Sequence, residues 1–545
     1  MRGPNQSHFA DVPTVNAERS HFNLSCSHKT TFNAGYLIPV FFEEILPGDT
    51  FSIRGQFFAR LASALKQPIM DNIYLDQQAW FIPNRLVWEH WVNFYGEKDN
   101  PDDDPTDYVP PTLTTPAVTG VVTHELYDYF GLPKGVPGID FNAFLPRAYA
   151  LVWNTWYRHQ KIHFSTAFTK ADSGDSYSDY HLLRRCKRAD YFTSCLPEPQ
   201  EGAGVTIPLG TTAPVYGTGK ALGMYDGHAQ FGMYGAPNYV TGDQTGFNAN
   251  VGGTITPTAY PMDYHAIGVV TQAQTSIPAQ SGLYADLSTA TAATINSLRL
   301  AFAMQRYAET LARAGNRYVE QLRAIWQVNC PDYRLQRPEY LGGSSTLINT
   351  HVVAQTTSAA SGKTLGDLAA FSTGSGQLNI VKSFTEHGHI IILASVRADM
   401  TYQFGLDRMW TRTTPFDYYQ PPFAHLGEES VLTKEIYCDG TATDAVVFGY
   451  QEYGARYRYK PNLITGMFHS AFATSLDTFH LAQDFGATAP TLDNTFIEED
   501  PPIDRVLQVS SESGTAPQIL FDSLWTVNAA RRMPVYSIPG ELDHH

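Results

Sequence analysis

The sequence predicts an all-β core with helical elaborations, arranged as one large scaffold that carries a long excursion, and three observations carry this reading. A block from Ala203 to Thr294 is rich in Gly, Ala and Thr and holds only five formally charged residues, whereas the chain on either side is rich in Tyr, Phe, Pro and Arg. Both flanks show period-two alternation broken by Pro- and Gly-marked turns, the pattern of half-buried strands. Neither flank shows the regular exchange of strand and helix that builds a parallel α/β sheet.

Taken in order, residues 1–30 are polar and His-rich, and they read as an arm that is ordered when a neighbour receives it. The scaffold begins with the run Leu37-Ile38-Pro39-Val40-Phe41-Phe42, a Pro47-Gly48-Asp49 turn, and then Phe51, Ile53 and Phe57 alternating with Ser52, Arg54 and Gln56. That is strand, turn, strand. Ile73 to Pro83 is a third apolar stretch, and Leu86 to Phe94 has the spacing of a short amphipathic helix. Asp102, Asp103, Asp104 and Asp107 lack the glycine and closing glutamate of a calcium loop and read as solvated. The aromatic segment Phe141 to Phe164 is expected to be partly helical.

Within the low-charge block, Gly217, Gly219 and Gly223 do not have nucleotide-loop spacing, and Ala221 follows Lys220 where a phosphate loop needs Ser or Thr. Tyr216, Tyr225, Phe231, Tyr234 and Tyr239 would supply small local cores or a recognition surface there. Beyond it, Leu298, Ala301, Phe302, Ala308, Leu311 and Ala312 form an apolar stripe, which Tyr318, Leu322, Ile325 and Trp326 resume after Gly315-Asn316. Two helices joined at the glycine and packed outside the sheets account for this. Strands return from Gly343: Ile380-Val381, then His389 to Val396 with His387 and His389 on one face, and an alternating strand through Arg456, Tyr457, Arg458, Tyr459 and Lys460.

The 545 residues carry a formal charge of −16, which excludes a protein that is basic all round and wraps nucleic acid alone. The strongest local basic cluster is Arg184, Arg185, Lys187 and Arg188, for which ion pairing is the plainer account and nucleic-acid contact the sharper one. Cys26, Cys186, Cys195, Cys330 and Cys438 are odd in number and widely spaced, so they read as reduced thiols, without a CxxC pair for zinc. No stretch reaches the roughly 18 apolar residues that span a bilayer. His387 and His389 find no third metal ligand in the sequence. Neither GxSxG nor HExxH occurs, and Asp399, Asp407, Glu428 and Glu452 are carboxylates that a glycosidase could use only if the fold brought two of them together. No catalytic, cofactor-binding or metal-ligating set is assigned, and no cofactor is expected.

Several ordered blocks then carry a resemblance across nearly the whole chain. They are His28-Lys29-Thr30-Thr31-Phe32-Asn33-Ala34-Gly35, Leu46-Pro47-Gly48-Asp49-Thr50, Met70-Asp71-Asn72 and Pro83-Asn84-Arg85-Leu86-Val87-Trp88, followed by Asp190-Tyr191-Phe192-Thr193-Ser194. Later come Arg337-Pro338-Glu339-Tyr340-Leu341-Gly342-Gly343, Arg397-Ala398-Asp399, Phe448-Gly449-Tyr450-Gln451-Glu452, Tyr457-Arg458-Tyr459-Lys460-Pro461 and Arg532-Met533-Pro534-Val535-Tyr536-Ser537-Ile538-Pro539-Gly540. In these the chain resembles the major capsid proteins of Microviridae bacteriophages, specifically the gokushovirus-like branch. Cys195, Glu198 and Glu541 depart from the usual pattern.

The resemblance implies an eight-stranded antiparallel jelly-roll viral capsid fold with long loop insertions, in a non-enzymatic subunit. About sixty identical copies would close a T=1 icosahedral shell around circular single-stranded DNA. A small basic DNA-binding virion protein, a bacterial surface receptor and assembly in the host bacterial cytoplasm belong to the same expectation, with no membrane insertion. Arg184, Arg185, Arg531 and Arg532 are the capsid groups offered for phosphate contact. The chain is then divided into an arm (1–30), a first jelly-roll part (31–202), a surface-protruding insertion (203–294), a helical connection (295–342) and the remaining strands, loops and C-terminal arm (343–545). A nonviral β-sandwich that binds or hydrolyses carbohydrate is the alternative, and a small-oligomer virion fibre is a third.

Overall fold

The computed structural model describes residues 18–100, 102, 108–202, 204–205, 295–354, 366–509 and 516–536, with five short strands between 215 and 285. Nine strands form its principal sheet: β1 (Ser20–Asn23), β2 (Cys26–Phe32), β3 (Ile38–Ile45), β4 (Thr50–Leu61), β5 (Ile73–Pro83), β6 (Glu339–Ala354), β7 (Leu368–Ser383), β8 (Gly388–Ala398) and β9 (Ile519–Arg531). All pairings are antiparallel, in the order β1-β9-β4-β7-β6-β5-β8-β3, with β2 also beside β9.

Two of these strands count as one. Asn23 faces Asn528 and Cys26 faces Trp525, so the register against β9 runs on unchanged through Leu24, whose N–H bonds the Val527 carbonyl at 2.9 Å. The hairpin β6–β7 bridges the two halves. Up to Ile348, β6 pairs β5; from Asn349 it pairs β7, and from Thr373 onward β7 pairs β4. The curled sheet therefore has a first face, β2-β9-β4-β7, and a second face, β3-β8-β5-β6. With β1 and β2 as one strand, chain positions interleave as 1-8-3-6 and 2-7-4-5, the eight-stranded jelly roll.

The residue pattern explains which faces are covered. In β4, Phe51, Ile53, Phe57, Ala59 and Leu61 are buried while Ser52, Arg54, Gln56, Phe58 and Arg60 are exposed, which is the alternation of a strand with one wet side. At Gly55 an added Cβ would lie 2.2 Å from the Trp525 ring, so this glycine makes room for the indole, which in turn meets Phe41 at 5.1 Å. β8 behaves differently. Ile390, Ile392, Ala394 and Val396 enter the space between the faces, and Ile391 and Leu393 enter a second cluster on the other side. A strand buried on both sides reads as the continuous apolar run seen from Ile390 to Ala394.

That second cluster is built by the stretch between β5 and residue 183. α1 (Phe144–Val152) continues as a wider turn, Trp153–Tyr157, and packs Phe144, Tyr149 and Trp153 with Trp80, Trp88 and Ile391. Its polar groups are tied down: Tyr149 Oη donates to the Leu37 carbonyl at 3.0 Å, Trp153 Nε1 donates to the Arg184 carbonyl at 2.7 Å, and fully buried Arg147 pairs with Asp175 at 2.9 Å. A third cluster joins Tyr191, Phe192 and Cys195 to Tyr402, Ile436, Phe448 and Phe496.

α2 (Ile295–Ala314) and α3 (Tyr318–Trp326) meet at Gly315, whose φ of +100° suits glycine, so the two-helix reading holds. Their expected packing does not. Ala312 is buried, but Tyr318 and Trp326 are largely exposed, so α3 keeps much of its apolar stripe in water. The chain separates into two compact units, Met1–Glu201 with Ala308–His545, and Gly202–Tyr307.

Four other expectations need correction. Residues 20–23 and 26–30, expected to lie in an arm, are sheet: their hydrogen bonds to β9 make an edge strand, and an edge strand tolerates the polar sequence that suggested an arm. β6 starts at Glu339, before the Gly343 boundary. Within Leu86–Phe94 the helix is a single turn, Trp91–Phe94, and a 3-10 turn, Asn84–Leu86, precedes it. Ala455–Tyr457 is a 3-10 turn instead of a strand, because Gly454 at φ +75° ends the preceding strand Val447–Glu452. Asp103, Asp104, Asp107, Gly219, Tyr234 and Tyr239 lie outside the described residues.

Candidate functional site

The basic run Arg184–Arg188 is drawn inward. Arg185 Nη1 donates to Asp76 Oδ2 at 2.8 Å, Arg397 Nε reaches the same oxygen at 2.9 Å and Arg188 Nη2 at 3.4 Å, while Ser345 Oγ donates to Asp76 Oδ1 at 2.5 Å. Asp76 stands on β5, Ser345 on β6 and Arg397 on β8, so one carboxylate gathers three strands of the second face and the 184–188 segment. Burial pushes its carboxyl up, but the Ser345 hydroxyl and the Arg185 and Arg397 guanidiniums outweigh burial and hold it below the ordinary range.

The neighbours complete the stitch. Arg185 N–H donates to the Gly35 carbonyl and Glu499 N–H to the Arg185 carbonyl, both at 2.9 Å. Arg184 pairs with Asp500 at 2.5 Å and lies 4.5 Å over the Tyr36 ring. Lys187 Nζ donates to the Phe496 carbonyl at 2.5 Å, and burial lowers its ammonium pKa. Gly35, at φ +82°, has no room for a side chain, since a Cβ would sit 1.9 Å from the Glu499 carbonyl oxygen. Ion pairing therefore accounts for this cluster, with Arg188 alone half in water.

Arg531 is likewise committed, donating to Asp49 at 3.0 Å and to the Glu44 carbonyl at 2.8 Å, while Arg532 is exposed. Of the four carboxylates, Asp399 accepts from Asn72 at 2.9 Å and Asp407 from Arg456 at 3.0 Å. Glu428 and Glu452 do come together, opposite each other in a two-stranded ladder, but Arg313 bridges them and Arg458 also holds Glu452. A pair neutralised in this way offers no free proton donor and base. His389 is the second residue of β8, and His387 lies just before the strand, stacked on Tyr95 at 4.8 Å. Among the described residues no three His, Cys, Asp or Glu side chains are grouped to hold a metal ion, no cysteines are bonded to each other, and no helix is long and apolar enough to cross a membrane.

What the described chain offers to the outside is surface. The outer side of the first face is a polar grid in which Asn528, Ser52 and Val381 form one cross-strand row, Thr526, Arg54 and Asn379 the next, and Leu524, Gln56 and Gln377 a third. A second surface, carried by 407–426 and 453–459, is aromatic. Sequence reading missed the first of these segments, although Thr414-Pro415-Phe416-Asp417-Tyr418-Tyr419-Gln420-Pro421-Pro422 marks prolines around exposed rings.

Comparisons with known proteins cover the same extent. Residues 10–541 match the family model of the capsid protein (F protein). The capsid protein VP1 of Bdellovibrio phage phiMH2K is 42% identical over 539 residues, covering 98% of each chain. The capsid proteins VP1 of Chlamydia phage 1 and Spiroplasma virus 4 are 39% and 36% identical, covering 98% and 94% of each chain. With a jelly roll as its scaffold, and with its conspicuous arginines and carboxylates spent on holding loops to that scaffold, this chain belongs to the F-type capsid protein family of Microviridae bacteriophages.

Proposed function

We propose that about sixty copies of this capsid protein close into a T=1 icosahedral shell around a circular single-stranded DNA. The observation that supports this reading most strongly is the match from residue 10 to 541, on a jelly-roll subunit, to proteins that are themselves capsid proteins. The chemistry is association, not turnover: repeated, heterologous contacts between identical copies, each modest, add up when symmetry closes them. A chain of net charge −16 cannot neutralise a polyanion by itself, which favours a separate small basic virion protein bound to the DNA.

In this reading 31–202 and 343–545, joined by the edge strand 20–30, make up the jelly roll with a C-terminal arm, 295–342 is the helical connection, and 203–294 is a surface protrusion that meets a bacterial receptor. Assembly takes place in the host bacterial cytoplasm. A loop-rich segment of low charge can change its partner while the strand sequences stay as they are. Electron microscopy of the purified native assembly, with mass determination of the same particles, tests the proposal. Closed spheres of about sixty subunits are expected, and a homogeneous monomer or small ring under assembly-permissive conditions would overturn it.

A further inference from the structure

The surface formed by 407–426 and 453–459 is unusual in what it leaves in water. Phe416 is 72% exposed, Tyr457 56%, Tyr418 50% and Tyr419 39%. The rings are contiguous: Tyr419 lies 5.4 Å from Tyr453 and 6.1 Å from Tyr457, Phe423 lies 6.2 Å from Phe416 and 6.5 Å from Tyr453, and Arg412 is stacked 5.2 Å over Tyr418 and 4.6 Å over Tyr457. At about 150–250 Å² for a whole aromatic side chain, the four exposed rings alone leave roughly 400 Å² open. That equals the largest apolar patch of an ordinary monomer and about half of the ~800 Å² that one partner brings to a standard protein interface.

The surface is also held still. Asp417 Oδ2 accepts from the N–H groups of Thr413 and Thr414 at 2.8 and 2.7 Å, Pro421 and Pro422 follow, and the Tyr453 hydroxyl accepts from Gln420 N–H at 3.1 Å. Freezing the rings in advance lowers the entropy lost on docking. Its charges are consumed locally: Asp407 with Arg456, Arg408 with Glu429, Glu452 with Arg458. Arg412 is the exception in hydrogen bonding, for its buried Nε has no partner. A surface of rings and one stacked guanidinium, with little unpaired charge, suits protein and not a polyanion.

We propose that this aromatic shelf, centred on Arg412, Phe416, Tyr418, Tyr419, Phe423 and Tyr457, docks against a second copy of this chain. The inference rests on the capsid reading, because self-association supplies the occupant, and it adds which residues make a contact. Tyr, Phe and Arg in a pre-ordered cluster are the residue types that dominate binding energy at interfaces, so a charge placed among them should break assembly without touching the fold.

The test compares the full-length chain with Phe416→Asp and Tyr457→Asp, assembled side by side and quantified by sedimentation. Wild type should form particles, and each variant should yield at least tenfold fewer while keeping the wild-type urea midpoint; Phe416→Tyr should assemble normally. Hydroxyl-radical labelling of wild type should show Tyr418 and Tyr457 protected several-fold in particles relative to unassembled chain. Variants that assemble at wild-type yield, or equal labelling in both states, would overturn the shelf as a subunit contact and leave the capsid reading standing. Soluble wild-type chain that never forms particles would instead overturn the capsid reading and this inference with it.

Discussion

The two faces of the jelly roll are built from strands of similar length, yet they place opposite demands on sequence. In the second face, β8 and β5 send Ile391, Leu393, Trp80 and Ile82 outward into the cluster roofed by α1, so the stretches Ile390–Ala394 and Ala79–Ile82 are apolar throughout. In the first face, β4 and β9 send Ser52, Arg54, Gln56, Asp522, Leu524 and Thr526 outward into water. Pairing and register alone do not require hydrophobic residues. Cover does, and the described chain covers one face with its own helix, turns and salt-bridged loops.

The largest effect is expected where the cover is fastened. Asp76→Asn keeps the shape but leaves the Arg185 and Arg397 guanidiniums, whose side chains are 11% and 5% exposed, without their carboxylate. Breaking one partner out of a buried ion cluster costs about 3–5 kcal/mol, to be read as a lower urea midpoint of the unassembled chain. The sign with pH follows from the depressed carboxyl: its stabilisation is present above the ordinary carboxylate pKa and is lost as pH falls below about 4. The variant should lack that acid limb. A cost under about 1 kcal/mol would mean the 184–188 segment is held by packing instead.

The same deletion made on each face measures the contrast directly. Ile391→Ala removes a side chain from beneath α1 and should cost about 2–5 kcal/mol, whereas Leu524→Ala, half exposed, should cost no more than about 0.5 kcal/mol. Equal costs in the unassembled chain would show that the first face is covered after all. Gly55→Ala probes the inner side of that same face. Its Cβ would meet the Trp525 ring, and an overpacked core of this kind loses about 1–3 kcal/mol. Chemical denaturation with an unchanged m-value would assign the loss to the native state.

Much of this was legible in advance because alternation and turns are local properties. Ile38–Ile45, Thr50–Leu61 and Ile73–Pro83 are strands where the apolar pattern places them, and Gly315 divides the helices. The edge strand 20–32 was not legible, since its only fully buried ring is Phe32 and its order comes from β9, nearly five hundred residues away. Ion pairing was the plainer account of the Arg184–Arg188 run and it holds, but the partners were not legible for a similar reason: the counter-charges, Asp76 and Asp500, are remote in sequence. Tyr457 and Tyr459 alternate with cations as a strand would, but Gly454 and the Asp407–Arg456 pair bend that segment into a turn. The family resemblance carried what local pattern could not, because it draws on residues spread along the whole chain.

A more modest loss separates the faces by pH. His389 lies on β8 opposite Ile82 of β5 and Glu44 of the edge strand β3, with the Phe144 ring 6.3 Å away, and burial pushes its imidazole down to about 4. An unfolded histidine titrates near 6.5. The folded state therefore prefers the neutral ring, and its contribution is fully present above pH ~6.5 and lost as pH falls toward 4. Between pH 7 and 5 the chain should lose about 1–2 kcal/mol through this residue, a window distinct from the one below pH ~4 that belongs to Asp76. His389→Leu should flatten the first window and leave the second intact. A loss between pH 7 and 5 that persists in His389→Leu would place the titrating group elsewhere, and would remove the second face's roof as the reason for it.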